Sequence, residues 1–234
     1  MSSCYEATSK GEYDINGVPT YCDSEDGGGW HLAMQFNSKS NFKFDSPYWS
    51  DEKLLGKPGE ENHRKSDGKY DAFNTIKIAA IRACWEKCVV IEVPVSHQKK
   101  TLHEIFKKVP IGPDGLEFST TADEFGAALG IPNNKMCYQK VKINFKDNSQ
   151  FKCKGRLALI RNNECNSVTA NDALGFGVME AFGGETGSGL TTAAPKQVTM
   201  MPGDLWVRPK SGNNFTCFLS IENIHVRAVY DPSA

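Results

Sequence analysis

Residues Asn162, Asn163, Glu164, Asn166, Asn171 and Asp172 place six side-chain oxygen donors within eleven positions, and Glu180 and Glu185 follow soon after. Carboxylate, amide and backbone oxygens are what a hard divalent cation gathers into a shell of about six to eight. The same residue types populate turns, because their side chains cap neighbouring backbone amides. The cluster therefore reads either as a cation loop or as a run of turns. Asp23, Glu25 and Asp26 before Gly27-Gly28-Gly29 look similar at first. There the EF-hand spacing fails, because Glu25 and Gly27 occupy positions that need Asp or Asn, and a structural turn is expected.

Cysteine is the second source of chemistry. Cys4, Cys22, Cys84, Cys88, Cys137, Cys153, Cys165 and Cys217 make an even eight, with no C-x-x-C among them. Zinc ribbons and redox motifs usually need that two-residue gap, so disulfides are the expectation, with free buried thiols and metal thiolates as the alternatives. Eight cysteines admit 105 pairings. The economical local set is Cys4–Cys22, Cys84–Cys88 and Cys137–Cys153, which leaves Cys165–Cys217. Disulfides imply an oxidising compartment. The sequon Asn214-Phe215-Thr216 agrees with secretion, and Met1-Ser2-Ser3 runs directly into polar sequence, as expected of a chain whose leader has been removed.

Signals for catalysis are weak. There is no G-x-S-x-G and no papain-like cysteine context. Gly183–Gly189 lacks the Lys-Ser/Thr ending of a phosphate-binding loop. His31, His63, His97, His103 and His225 are scattered and suggest no zinc triad. The carboxylate pair of a glycoside hydrolase is defined by spatial separation, so a secreted hydrolase stays open as an alternative.

The elements that must position these residues are short. Asn16-Gly17 between two strand-like runs predicts a type I′ hairpin from Gly11 to Cys22. Trp30, Leu32, Met34 and Phe36 alternate like a strand, as do Ile76, Ile78 and Ala80, and Cys88–Val95 is a β-branched run. Thr101–Glu104 and Thr121–Glu124 fit the capping box, predicting helices that end near Val109 and Gly130. Strands return at Val141–Phe145, Leu157–Leu159 and along Phe215–Tyr230. Between 162 and 203 the sequence is loop-rich, dense in Gly, Asn and Thr, and too long for an ordinary connection, so it reads as functional, metal-stabilised or partly structured. Residues 50–71 read as a surface loop.

Composition bounds the rest. The chain has 234 residues, 39% hydrophobic, and with its 21 glycines counted it falls in the ordinary globular range of about 45–50%. A net charge of −1 gives no field to attract nucleic acid or an anionic membrane. No apolar run approaches the roughly 18 residues of a spanning helix. Without repeats or a clean linker, the sequence is read as one α+β domain over 1–234.

The segment Gly17-Val18-Pro19-Thr20-Tyr21-Cys22-Asp23, followed by Gly27-Gly28-Gly29-Trp30, resembles the entry motif of fibrinogen-related domains and of intelectins, the X-type lectins. Asp45–Leu55, with Tyr48-Trp49, and Arg156–Gly177, with Arg161-Asn162-Asn163-Glu164, resemble intelectins more loosely. The resemblance implies a single disulfide-bonded domain of mixed sheets, short helices and long loops, fibrinogen C-terminal-like, with residues 1–36 as its entry region. It implies a first disulfide Cys4–Cys22 and a secreted lectin whose calcium site recognises glycan hydroxyls. On that reading Asn162, Asn163, Glu164, Asn166, Asn171, Asp172, Glu180 and Glu185 hold Ca2+, and Tyr48 or Trp49 packs on the sugar. The expected partners are glycans or glycoproteins, with no nucleic acid, no membrane insertion and a possible homo-oligomer. The function expected is binding without catalysis, and a protein-binding adhesion module that ignores sugar is the alternative. The His- and Trp-rich glycan loop of intelectins has no match, and Gly183–Gly189 is plainer.

Overall fold

The computed structural model describes residues 1–59, 64–112, 115–118, 122–128, 130, 137–146, 153–162, 172–179, 184–193 and 196–211. They form an α+β fold of two antiparallel sheets with three short helices. The first sheet contains β1 (Gly11–Ile15), β2 (Val18–Asp23), β3 (Trp30–Phe36), β4 (Gly68–Lys69), β5 (Ala80–Cys84), β6 (Cys88–Glu92) and β13 (Gly203–Arg208), in the order β1-β2-β3-β13-β5-β6 with β4 added to β3. The second contains β7 (Leu116–Glu117), β8 (Cys137–Lys146), β9 (Lys154–Asn162), β10 (Asp172–Met179), β11 (Glu185–Ala193) and β12 (Lys196–Met200), in continuous up-and-down order. The expected mixed sheets are antiparallel in every ladder between these strands; the isolated Gly112–Phe145 bridge is parallel.

The facing surfaces of the two sheets close one apolar core. Met34, Phe36, Ile81, Ala83, Leu205 and Val207 from the first meet Val141, Ile143, Leu157, Leu159, Leu174 and Phe176 from the second. Phe176 is the keystone, with ring centroids 4.4 Å from Phe36 and 4.5 Å from Trp85. Helices α1 (Asp71–Thr75), α2 (Leu102–Lys108) and α3 (Ala122–Ala128) close its flanks through Phe73, Phe106 and Phe125. No helix among the described residues is long and apolar enough to cross a membrane.

Several local expectations hold for the reasons given. Asn16 and Gly17 have φ of 53° and 84°, the positive pair that a type I′ turn demands. Thr101 Oγ1 accepts from the Glu104 amide at 3.1 Å, and the Glu104 carboxylate accepts from the Thr101 amide at 3.0 Å, completing the capping box. Because Thr101 is buried, Thr101→Ala is expected to lower unfolding free energy by about 1 kcal/mol, read from the urea midpoint. Gly130 ends α3 with φ of 71°. The expected cap at Thr121 lies outside the described residues, as does the Phe215–Tyr230 run.

Cys4–Cys22 and Cys84–Cys88 are bonded. Cys153 is buried, whereas Cys165, Cys217 and the Cys137 side chain lie outside the described residues.

The loop-rich reading of 162–203 gives way to its partly structured alternative: much of the stretch is the strands β10, β11 and β12. Glycine and threonine disguised them: Gly175 and Gly189 sit opposite one another with φ of 133° and 128°, and a Cβ on either would strike the backbone oxygen of Leu157 or Thr199. The alternation in β3 also fails to keep one face. A bulge between Leu205 and Trp206 pairs Leu205 with Met34 but Trp206 with Leu32, shifting the phase by one residue at Ala33. Met34 and Phe36 therefore enter the core between the sheets, while Trp30 and Leu32 join Tyr21, Tyr70 and Trp206 on the opposite face.

Candidate functional site

β10 separates the proposed cation ligands. Asp172 opens this strand and is paired with Arg161 of β9, next to Asn162. At its other end Met179 is paired with Glu185. Seven residue steps from Asp172 to Met179, at about 3.3 Å each, span roughly 23 Å. Asn162 and Asp172 thus share one end of the sheet, and Glu185 stands at the other. Glu185 is also engaged, its Oε1 accepting from Lys43 Nζ at 2.7 Å. It is removed from the ligand set on both counts. Asn163, Glu164, Asn166, Asn171 and Glu180 lie outside the described residues. Among the described residues no group of three or more His, Cys, Asp or Glu is arranged to hold a metal.

The aromatic candidates belong to the Glu185 end. Besides the Lys43–Glu185 pair, Asp45 faces Lys154 of β9 at 3.4 Å, and a Cβ on Gly177 would meet the Trp49 ring at 3.1 Å. Trp49 is fully buried, and its Nε1 donates to the carbonyls of Phe42 and Lys43 at 3.2 and 3.0 Å. A ring with no exposed face cannot stack on a sugar, so Trp49 is corrected to a core residue. Tyr48 is half-buried, edge-on to Phe42 at 5.4 Å, and keeps an accessible side.

Among the described residues, a dense charged constellation that no sequence motif marks lies elsewhere. On the outer face of the first sheet, five side chains alternate cation and ring. Arg208 lies 4.3 Å from the Trp30 centroid, and Arg82 lies 4.9 Å from Trp30 and 5.1 Å from Trp206. Lys10 lies 5.2 Å from Trp206 and closes the ladder. Arg82 donates to Asp23 at 2.6 Å and to Asp26 at 3.1 Å, while Lys10 approaches Asp23 at 3.6 Å. Burial pushes the Asp23 carboxyl upward, but the Glu25 amide and the Arg82 guanidinium outweigh it and hold it below the usual range. These contacts explain why the Asp23–Asp26 carboxylates form a turn and no cation loop. Gly27, Gly28 and Gly29, with φ of 86°, 70° and 76°, carry the chain around to Trp30.

The comparison with protein families finds no matching family model, and no curated protein matches the chain.

Three further buried polar groups, Lys69, His103 and His31, hold this part of the fold together. Lys69 is sealed from solvent and donates to the Asp51 carbonyl at 2.6 Å and its carboxylate at 3.2 Å; burial lowers its ammonium pKa. His103 Nδ1 meets the same carbonyl at 3.0 Å, tying α2 to the chain before β4. His31 sits beneath the entry region, with Nδ1 at 3.0 Å from the Gly29 carbonyl and Nε2 accepting from the Cys4 amide at 3.4 Å. Burial drops its pKa to about 4, so the ring is neutral. The signals for the cation–ring ladder are lone charges within or at the end of apolar runs, Ile81-Arg82-Ala83 and Trp206-Val207-Arg208. Only the strand order, which no spacing reveals, brings them together.

Proposed function

We propose that the chain is a secreted, fibrinogen/intelectin-like carbohydrate-binding adhesion module that acts by calcium-dependent recognition of glycan hydroxyls and performs no catalysis. The observation that carries the reading is the entry region, in which the Cys4–Cys22 disulfide, the Gly27–Gly29 turn and the buried Trp30 occur together. The cation is assigned to the connection between β9 and β10. These strands are antiparallel neighbours, so a segment leaving Asn162 returns at Asp172 on the same end of the sheet. Its Asn163, Glu164, Asn166 and Asn171, with Asn162 and Asp172, form an oxygen-only set with two carboxylates, the chemistry calcium takes. Bound calcium supplies open positions for a sugar's paired hydroxyls. Tyr48 stands toward the other end of β10 and is not part of this site. Single sugar sites are weak, so useful avidity calls for a homo-oligomer.

The test is glycan-array binding in calcium and in EDTA, repeated with Glu164→Gln and Asp172→Asn. Expected is binding in calcium only, with each variant losing about tenfold in affinity, roughly 1.4 kcal/mol, at unchanged circular dichroism. Binding indifferent to EDTA removes the metal from the mechanism. A folded protein that binds no glycan in either buffer points to a protein-binding module instead.

A further inference from the structure

We propose that Cys88 is a site of reversible thiol–disulfide exchange, taking small monothiols of the glutathione class. The two described disulfides differ in access. Cys4 and Cys22 are both fully buried. Cys84 is buried as well, but Cys88, at the start of β6, is exposed. Cys88 also lines an open cleft of about 380 Å³ with Lys87, Val89, Val90, Glu124, Ala127 and Ala128. A thiolate therefore has a path to one sulfur of this bond and to neither sulfur of the other. The Lys87 ammonium, next in sequence, favours the approach of the thiolate, the form that attacks.

The bond is also one that the fold can lose. Cys84 and Cys88 are four positions apart and directly paired across a hairpin, so the link closes a loop already held by the ladder from Ala80–Glu92 to Cys84–Cys88. Loop-closure stabilisation shrinks as the closed loop shortens, which leaves little for this bond to supply. The turn has its own ties: the Trp85 amide donates to the Lys87 carbonyl at 2.9 Å, and Arg64 Nη1 donates to the Trp85 carbonyl at 2.7 Å. The Trp85 ring is anchored by its stack on Phe176 and by Nε1 donating to Ser188 Oγ at 2.9 Å.

In the exchange, the small thiolate attacks Sγ of Cys88 and forms a new S–S bond. The Cys84–Cys88 bond breaks, its electron pair leaves on Cys84, and that sulfur takes a proton from solvent. One disulfide forms as one is lost, so no oxidant or reductant is consumed. Attack of Cys84 on the mixed disulfide reverses the step.

The experiment treats the native chain with reduced glutathione at neutral pH, caps free thiols, and maps the peptides by mass spectrometry. Expected is glutathione on Cys88 and the cap on Cys84 in one peptide, appearing about tenfold or more faster than any opening of Cys4–Cys22. Lys87→Glu slows the reaction, and Cys84→Ser/Cys88→Ser keeps the parent far-ultraviolet circular dichroism. An unmodified 84–88 peptide until denaturant is added overturns the proposal, as does glutathione on Cys84, or Cys4–Cys22 opening at an equal rate. Failure of the double variant to fold overturns it too, because a bond that the fold needs is not exchangeable.

Discussion

Replacing Arg82 with methionine is expected to lower the unfolding free energy by about 4 kcal/mol, the scale for removing one partner of a buried ion pair. Arg82 is 1% exposed, and so is the Asp23 to which it donates. Methionine fills much of the space between Trp30 and Trp206 but, among the described residues, leaves the Asp23 carboxylate the Glu25 amide and the more distant Lys10. The stranded charge, and not a cavity, dominates the loss. Arg82→Met/Asp23→Leu should therefore recover more than half of it, because a buried pair replaced by apolar groups is often neutral. Urea denaturation of the parent and both variants decides the matter. A double variant as unstable as the single one would assign the cost to the broken cation–ring ladder instead.

The second large effect comes with acid. His31 is neutral in the folded protein, with its pKa near 4 against 6.5 for the free side chain. Above pH 6.5 both folded and unfolded chains carry a neutral ring, and the term vanishes. Between pH 6.5 and 4 only the unfolded chain takes the proton, so stability falls as pH falls, by up to about 3 kcal/mol. Below pH 4 both states are protonated and the term stops growing. His31→Gln keeps a side chain able to donate to the Gly29 carbonyl and removes the titration. Parent and variant are compared by urea midpoints at pH 7 and pH 4, so that carboxylates common to both cancel. The parent should lose more than the variant by that amount; equal losses would mean that the ring takes its proton without unfolding.

What was legible in the sequence was local. The Asn16-Gly17 turn, the Thr101–Glu104 box and the two described disulfides each depend on residues within about twenty positions of one another, and their chemistry is complete in that window. The β3 bulge was illegible because the extra residue, Ala33, is neither glycine nor proline and nothing in the local sequence marks the slip. β10 and β11 were read as loop because glycine usually breaks strands, whereas here the neighbouring backbone approaches too closely to admit a side chain at Gly175 and Gly189. The candidate site suffered most. Residues from 162 to 185 are close in sequence, but an intervening strand carries the later ones to the far end of the sheet.

The position of β13 governs how the protein is made. The second sheet grows from consecutive segments between residues 116 and 200, each strand pairing with the one before it. The first sheet cannot do this, because β3 and β5 have no direct ladder and are joined only through β13. During synthesis the strands ending at Phe36 and Cys84 must wait until Gly203–Arg208 leaves the ribosome. Until then Trp30 and Arg82 lack Trp206, and one side of the core is open. Among the described strands, the sheet that holds β1 to β6 is thus completed last, and the nascent chain must be kept from aggregating over that interval.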